Sequence, residues 1–545
     1  MRRFLVLALA AVLAAVLAAA GFIGSAPASK LSAAPVPHYD LLIRDGFIVD
    51  GTGGGGYTGD IAVRGGKIAA IGDLTATADR VIDAAGAIVT PGFIDIHTHS
   101  DSGIKSTPKA ENYILQGVTT VLGGNCGGGS AGTDVGAYLA DVTAAKPSIN
   151  FGTLVGHGDL RETVMDEATG EVTEADLREM EKQAREAMRG GAFGISTGLE
   201  YIPGRYADTD ELVRIAAVVQ KHGGFYASHT RDEQTGVIIS VAEAIEIGRR
   251  ANIPVQISHL KACGAEVWGY GKILSGMVAM ARAMGVDVLA DQYPYGASST
   301  GFSQCFPAWA VEGGKQELAA RLEDPVLAER IRAYATNQIR IRVGEDMSLI
   351  QVASYRTDPS FEGKTFKEIL EGRGLEPTLA NGIDLVIETY LSPSSPSVIY
   401  HYINEDDIKT IMRNPYVMVA SDGGIRVFGS GVPHPRNYGT FPRVLAKYVR
   451  EEYVITLEEA IRKMTSLPAS RLGLADRGVL KAGNWADITI FDEKEVYDTA
   501  TFFEPHQYPV GIDYVIVNGA VTAEKGVHTG AAAGYVLYGP GKTGK

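Results

Sequence analysis

The chain has 545 residues, of which 45% are hydrophobic and 21% are charged, and its formal net charge is −14 at pH 7. This composition supports one large folded core with smaller attachments and excludes a chain that is mainly disordered. The negative charge repels phosphate backbones and no long Lys/Arg block opposes it, so we expect no nucleic-acid partner. Three cysteines are too few for a disulfide framework.

Residues 1–28 have the pattern of an export signal. Arg2 and Arg3 precede an apolar run that begins at Phe4, and the small-residue stretch Ala26-Pro27-Ala28 resembles a cleavage site. The apolar run is slightly long for a signal, so the alternative is an uncleaved membrane anchor, and only in that case do we expect a membrane partner. We predict an exported protein, periplasmic or extracellular, that is either released or anchored by this segment.

Strand-like runs occur near both ends of the mature chain. Leu41-Leu-Ile-Arg-Asp lies among Gly-rich turns, and the same texture returns at Ala486-Asp-Ile-Thr-Ile-Phe and Tyr514-Val-Ile-Val-Asn-Gly. We predict that residues 29–90 and 469–545 together form a small β-sandwich domain. The Gly-rich tail after Thr529 is predicted to be mobile.

Residues 91–468 alternate β-rich runs with helical segments, which is typical of parallel βα units in the α/β class. Eight such runs predict a closed (β/α)8 barrel of the TIM type. The predicted strands are Phe93–Ile96, Thr119–Leu122, Phe151–Val155, Phe193–Ser196, Phe225–Ser228, Val255–Ser258, Val286–Ala290 and Tyr416–Ala420. The interval between the seventh and eighth strands, about 302–414, exceeds a normal loop and is predicted to hold an inserted subdomain or lid.

The first predicted barrel strand ends in His97-Thr98-His99. Because side chains alternate along a strand, both imidazoles point to the same side and can hold one metal ion. The pair alone is weak evidence, since two hydrogen-bonded histidines give the same pattern. Further candidate ligands follow other strands at the carboxyl end of the barrel, where such folds place their chemistry: Cys126, His229, His259 and Asp422. Their convergence predicts a metal-assisted hydrolase.

This pattern resembles the amidohydrolase superfamily, in which a carboxylated lysine after the fourth strand usually bridges two metals. Here the corresponding stretch, from Gly194 to Tyr201, contains no lysine. Cys126 lies in the turn Gly-Gly-Asn-Cys-Gly-Gly-Gly and offers a thiolate, which is a good zinc ligand. The alternative for Cys126, a small buried hydrophobic residue, is disfavoured by the three histidine segments.

The motifs are similar, in order and combination, to those of the N-acyl-D-amino-acid deacylases, the D-aminoacylase family, over essentially the whole mature chain. Matching segments include Gly-Asn-Cys126-Gly, Ser228-His229-Thr-Arg-Asp-Glu, Ser258-His259-Leu-Lys261, Asp291-Gln-Tyr293-Pro-Tyr, Ser421-Asp422-Gly and His434-Pro-Arg436-Asn-Tyr. The resemblance implies a tightly bound zinc ion on Cys126, His229 and His259. It also implies a second, weaker metal position at His97 and His99, with Asp422 nearby.

The resemblance further implies that Lys261, Tyr293 and Arg436 bind the substrate carboxylate or side chain, and that Tyr201 lies close to the reacting carbonyl. The alternative for the two cations is a structural ion pair, and the alternative for the tyrosines is packing. The segment from Asp422 to Arg436 is a few residues longer than in the family, which leaves the role of Arg436 open.

Two other residues near the predicted site, His157 and Asp95, are expected to be structural or to support ligands from behind.

We predict zinc-dependent hydrolysis of an N-acyl-D-amino acid to a carboxylate and a free D-amino acid, with Asp422 as the proton carrier. The expected partner is a small N-acyl amino acid or a peptide-like substrate. The D configuration follows from the resemblance and not from residue spacing. Alternatives are an exported dipeptidase, a cyclic-amide hydrolase and a catalytically silent binding protein. The missing lysine disfavours the cyclic-amide reaction, and the complete set of ligands disfavours the silent barrel.

Overall fold

The computed structural model describes residues 36–165 and 169–543. The predicted export signal, residues 1–28, lies outside the described residues. Within the described ranges, no helix combines the length and the apolar character that crossing a membrane requires.

The strands of the described residues are numbered in chain order. They are β1 His38–Ile48, β2 Tyr57–Arg64, β3 Lys67–Gly72, β4 Thr77–Asp83, β5 Ile88–Pro91, β6 Phe93–Asp95, β7 Val118–Gly123, β8 Asn150–Thr153, β9 Val155–Gly156, β10 Gly194–Gly198, β11 Phe225–His229, β12 Val255–Ile257, β13 Val288–Gln292, β14 Ser298–Thr300, β15 Ile350–Ser354, β16 Ser397–Tyr400, β17 Val417–Val419, β18 Ile488–Phe491, β19 Ile512–Val517, β20 Ala520–Glu524 and β21 Val527–His528.

The described α-helices are numbered in the same way. They are α1 Glu111–Ile114, α2 Val135–Ala145, α3 His157–Val164, α4 Glu174–Gly190, α5 Thr209–Gln220, α6 Val237–Ala251, α7 Gly271–Ala283, α8 Ala308–Val311, α9 Lys315–Glu323, α10 Pro325–Val343, α11 Phe366–Gly372, α12 Leu379–Leu391, α13 Glu405–Met412, α14 Arg436–Arg443, α15 Leu457–Met464 and α16 Ser466–Leu472. A π-helical segment, Val444–Glu451, continues directly from α14.

Parallel strands form a closed barrel, which confirms the predicted (β/α)8 fold. One part of the wall has the order β6-β7-β8, and the other has the order β9-β10-β11-β12-β13-β17. β8 and β9 are separated by the single residue Leu154 and act as one strand of the barrel. The wall closes where the N–H of Asp422, after β17, donates to the carbonyl of His97, after β6, at 2.9 Å.

Each barrel strand differs by one or two residues from its predicted extent, and two of these differences have a cause in the preceding turn. β13 begins at Val288 and not at Val286, because the N–H of Val288 donates to the carbonyl of Val286 in a tight turn. It also extends to Gln292, so that Asp291 lies within the strand. β17 is shorter than predicted, since the side chain of Asn414 accepts from the N–H of Tyr416 in the turn before the strand.

Strands from both ends of the chain form one nine-stranded sheet. Its order is β21-β20-β19-β18-β5-β1-β2-β3, and β4 pairs in parallel with β1 outside this path. The two ends of the chain meet where β5 and β18 pair antiparallel, with Ile88 opposite Phe491. Because only Gly92 separates β5 from β6, this β domain fixes the start of the first barrel strand.

The segment between β13 and β17 contains a small antiparallel sheet, β14-β16-β15, together with helices α8 to α12. Phe302 packs against Phe366 and Tyr400, which gives this insertion an aromatic core of its own. The insertion contacts the catalytic end of the barrel, where the N–H of Gly264 donates to the carbonyl of Tyr402 at 2.9 Å.

The prediction that the tail after Thr529 is mobile is wrong. The tail lies along the N-terminal ends of β8 and β10, where the N–H of Leu537 donates to the carbonyl of Phe151 and the N–H of Gly539 to that of Gly191. A Cβ atom on Gly539 would lie 2.0 Å from the carbonyl oxygen of Ala192. Glycine at this position therefore reflects close packing of backbones and not chain flexibility.

Candidate metal centre and active site

The predicted ligands meet at the carboxyl end of the barrel because each follows or ends a different strand. His97 and His99 follow β6, Cys126 follows β7, His229 ends β11, His259 follows β12 and Asp422 follows β17. The ligand atoms of Cys126, His229 and His259 all lie within 4.8 Å of one another, and so do those of His97, His99 and Cys126. Since Cys126 belongs to both groups, the two predicted metal positions are adjacent.

Three of these side chains extend from left-handed backbone, which residues other than glycine rarely adopt. The φ angles are 56° at Cys126, 35° at His259 and 52° at Asp422. Such conformations persist only where the surrounding structure imposes them, and they are concentrated at functional sites. Here they occur in the turns that follow β7, β12 and β17.

The geometry around His229 and His259 directs one lone pair of each ring to a common point. Nδ1 of His229 lies 2.8 Å from Nε2 of His259. The other ring nitrogens face carboxylates: Nε2 of His229 lies 3.1 Å from Glu200, and Nδ1 of His259 lies 3.0 Å from Glu233. An imidazole that donates its N–H to a carboxylate keeps the opposite nitrogen free to bind a metal.

Cys126 completes this donor set. Its Sγ lies 3.6 Å from Nε2 of His259. Burial would raise the pKa of the thiol, but His97 together with His229 and His259 holds that pKa well below its usual value. A thiolate with two imidazoles is a donor set typical of zinc, so the residues at this position fit the ion that the sequence predicts.

The other group contains the first motif of the sequence. Nε2 of His97 lies 3.4 Å from Sγ of Cys126 and 3.6 Å from Asp422, while Nε2 of His99 lies 3.1 Å from the same Asp422 oxygen. Behind the ring, Nδ1 of His97 lies 3.2 Å from Asp291. The His-X-His pair therefore adjoins the Cys126 group and shares Asp422 between its two rings.

Asp422 also receives a charged partner. Nη1 of Arg436 donates to its second carboxylate oxygen at 2.8 Å. Burial would raise the pKa of Asp422, but Arg436 and the hydrogen bond from His99 outweigh that effect and hold the pKa well below its usual value. The carboxylate is thus ionised at neutral pH.

Lys261, Tyr293 and Arg436, the predicted substrate-binding residues, line one cavity of about 410 Å³ together with most of the metal-site residues. Nζ of Lys261 and the guanidinium of Arg436 lie 5.6 and 5.0 Å from the centre of the Tyr293 ring. Lys261 also donates to Glu233 at 2.6 Å. The structure brings the three side chains together and gives each cation a carboxylate partner.

Tyr201, after β10, lines the same cavity. Its ring centre lies 4.5 Å from that of His229, and its hydroxyl lies 3.1 Å from Oγ1 of Thr300 in β14. Burial raises the pKa of Tyr201 well above its usual value, so the hydroxyl keeps its proton and can act as a donor.

The two residues expected to be structural or supporting, His157 and Asp95, both have partners within the protein. His157, the first residue of α3, is buried, and its Nε2 lies 2.7 Å from Glu211. Asp95 accepts from the N–H groups of Ser421 and His97, and so ties the end of β6 to the end of β17. Burial raises the pKa of Asp95 to about 7.

Sequence reasoning missed the groups that hold the imidazoles in place. These are Glu200, Glu233 and Asp291, and behind Glu200 the guanidinium of Arg342, whose Nη2 donates to it at 2.6 Å. The three carboxylates had one usable signal, since each lies in a barrel strand or within four residues after one. Arg342 had none, because it belongs to the insertion.

Three comparisons show which known proteins this chain is similar to. The model of the amidohydrolase family matches residues 80–523. A D-aminoacylase from Alcaligenes xylosoxydans xylosoxydans is 36% identical over 92% of this chain and 97% of its own length, and an N-acyl-D-glutamate deacylase from the same organism is 36% identical over 88% and 93%. The crystal structure of an N-acyl-D-glutamate deacylase from Bordetella bronchiseptica, complexed with zinc and a phosphonate inhibitor, is similar with a TM-score of 0.77 and 34% identity, covering 92% of this chain and 100% of that one.

Proposed function

The chain belongs to the D-aminoacylase family of amidohydrolases, and we propose on that basis that it is a zinc-dependent deacylase of N-acyl-D-amino acids. Its products would be a carboxylate and a free D-amino acid. One observation supports this proposal above the others: the group Cys126, His229 and His259 lines the same cavity as Lys261 and Arg436. A metal position beside two cations suits an amide whose amine part bears a carboxylate.

Zinc held by Cys126, His229 and His259 would supply a Lewis acid and lower the pKa of water, so that hydroxide is available near neutral pH. His97 and His99 would hold a second, weaker metal beside it. This assignment rests on the donor set and on the orientation of each imidazole by a carboxylate.

The chemistry of the protein side chains would centre on Asp422. Its carboxylate would accept a proton from the attacking water and deliver it to the nitrogen of the leaving amine, since an amide does not break until its nitrogen is protonated. Arg436 and His99 hold the two oxygens of this carboxylate in place. The Tyr201 hydroxyl would donate a hydrogen bond to the carbonyl oxygen as negative charge develops there.

Lys261, Tyr293 and Arg436 would bind the carboxylate of the amino-acid part. Bidentate contact with a guanidinium and a second charge from an ammonium are well suited to a planar carboxylate. The D configuration is proposed from the similar enzymes, which are named D-aminoacylase and N-acyl-D-glutamate deacylase.

The test is a comparison of four substrate classes under one set of conditions: N-acetyl-D-amino acids, their L forms, dipeptides and hydantoins. We expect the N-acetyl-D-amino acids to have the highest kcat/KM, a chelator to remove the activity, and added zinc to restore it. Faster hydrolysis of hydantoins, or full activity in the chelator, would contradict the proposal.

We also propose that the protein is exported. Arg2, Arg3, the apolar run and Ala26-Pro27-Ala28 support this proposal. Expression with the natural N-terminus, followed by N-terminal sequencing of the protein outside the cytoplasm, tests it. A mature N-terminus near Ser29 is expected, and a full-length protein retained in the membrane would indicate the anchor.

A further inference from the structure

A line of polar contacts runs from the insertion into the proposed zinc site. Nη2 of Arg342, on α10, donates to one oxygen of Glu200 at 2.6 Å. The other oxygen of Glu200 lies 3.1 Å from Nε2 of His229, and Nδ1 of the same ring lies 2.8 Å from Nε2 of His259. Only 1% of the Arg342 side chain is exposed, so solvent does not screen these contacts.

We propose that Arg342 is a positioning residue for the metal centre: it holds Glu200 so that Glu200 fixes the ring of the zinc ligand His229. The inference rests on the zinc site of the proposed function. It assigns to the insertion a part in metal binding, in addition to lining the cavity with residues such as Gln304 and Tyr402.

The charge and the geometry of Arg342 both support this role. A buried carboxylate requires a charged or hydrogen-bonded partner, and removing that partner leaves an uncompensated charge. Arg342 is itself fixed, because Nη1 donates to the carbonyl and the side-chain oxygen of Gln338, one turn earlier on α10. Glu200 is thus held on one side by a rigid guanidinium and has its other oxygen directed at His229.

His259 has an equivalent arrangement built from the barrel. Its Nδ1 lies 3.0 Å from Glu233, and Glu233 accepts from Lys261, which lies only two residues after His259. Each imidazole therefore faces a carboxylate that is paired with a cation, although Lys261 also lies 2.9 Å from Nδ1 of His259 itself. The pair behind His229 consists of Glu200 and Arg342. It differs because Arg342 lies in the insertion, 142 positions after Glu200.

The first experiment measures zinc affinity in the absence of substrate, by competition with a chromophoric chelator. We expect Arg342→Met to weaken zinc binding about 10- to 100-fold, the range typical of residues that support metal ligands. Arg340→Met is the matched control, because Arg340 lies on the same helix with 53% of its side chain exposed and forms an ion pair with Glu345 at 3.8 Å, away from the metal group. We expect this control to bind zinc as the unmodified protein does.

A double-mutant cycle distinguishes positioning from general destabilisation. If Arg342 acts through Glu200, adding Arg342→Met to Glu200→Gln causes no further loss of zinc affinity. Arg342→Lys retains the charge and should bind zinc more tightly than Arg342→Met. If Arg342→Met fails to fold, the cycle is run with Arg342→Lys in the same two backgrounds.

The absorption spectrum of the Co²⁺-substituted protein provides a second readout. We expect Arg342→Met to alter the bands of cobalt bound by sulfur and imidazole, and Arg340→Met to leave them unchanged. Unchanged zinc affinity and cobalt spectrum in folded Arg342→Met, or additive losses in the cycle, would overturn the inference. Neither measurement uses a substrate. A lack of deacylase activity would therefore contradict the proposed function but would not affect the conclusion that Arg342 positions the metal centre.

Discussion

Asp422, the proposed proton carrier, contacts one cation and two histidines. We expect Asp422→Asn to lower kcat by about 10²- to 10⁴-fold, the usual contribution of a general acid and base. Zinc should remain bound, because Cys126, His229 and His259 are unchanged. Steady-state kinetics and metal analysis of the same samples measure both quantities. Asp73→Asn, at an exposed position, is the control, and normal turnover by Asp422→Asn would remove Asp422 from the mechanism.

Arg436 contacts Asp422 and lies in the region proposed for the substrate carboxylate. We therefore expect Arg436→Met to raise KM and also to lower kcat, with a combined loss in kcat/KM of about 10- to 100-fold from one charged hydrogen bond. An N-acetyl-D-amino acid amide, which lacks the carboxylate, should lose less than the parent acid. Equal losses for both substrates, or an unchanged KM for the acid, would limit Arg436 to supporting Asp422.

The sequence predicts residues such as His97, Cys126 and His259 better than the residues that support them. A position just after a strand is a local property, and it brings these side chains to one end of the barrel. Glu200 is less conspicuous, because it is one of 64 acidic residues. Arg342 could not be predicted at all, since its contact with Glu200 depends on how the insertion packs against the barrel.

At the scale of elements, the C-terminal tail shows how composition can mislead. The sequence predicts the barrel because each strand and each helix has its own local pattern of apolar residues, and these patterns alternate along the chain. Glycine content, in contrast, is the same whether a segment is mobile or whether its backbone lies against another backbone. Gly534 and Gly539 lie against the backbone of the barrel. An added Cβ atom would be 2.1 Å from a carbonyl oxygen at Gly534 and 2.0 Å from one at Gly539.

We predict that Gly539→Ala lowers the free energy of unfolding by about 1–3 kcal/mol, the usual range for forcing extra atoms into a packed region. The measurement is chemical denaturation of the zinc-loaded protein. Gly55→Ala is the control, because no atom lies within 4 Å of its added Cβ. Equal stability of the two variants would indicate that the tail detaches readily and that its docking contributes little.

At the scale of the whole molecule, the proposed ligands come from parts of the chain as distant as β7 and β12, and Asp422 after β17 adjoins them. Zinc bound by these residues would link strands on different sides of the barrel. Because the unfolded chain does not hold these groups together, zinc bound at this site would stabilise the folded state by mass action. Stability of the entire barrel should therefore depend on zinc concentration.

We expect zinc at 100 times its Kd to raise the free energy of unfolding by about 2.7 kcal/mol over the metal-free protein. Cys126→Ala should lose most of this increase, because it removes the thiolate. Cys305→Ala also removes a buried cysteine, but one outside the metal group, with Sγ 3.7 Å from the Tyr400 hydroxyl. Cys305→Ala should be less stable than the unmodified protein both with and without zinc, but zinc should raise its free energy of unfolding by the full amount. Chemical denaturation with and without zinc measures all three proteins, and an equal increase in Cys126→Ala would exclude the thiolate as a ligand.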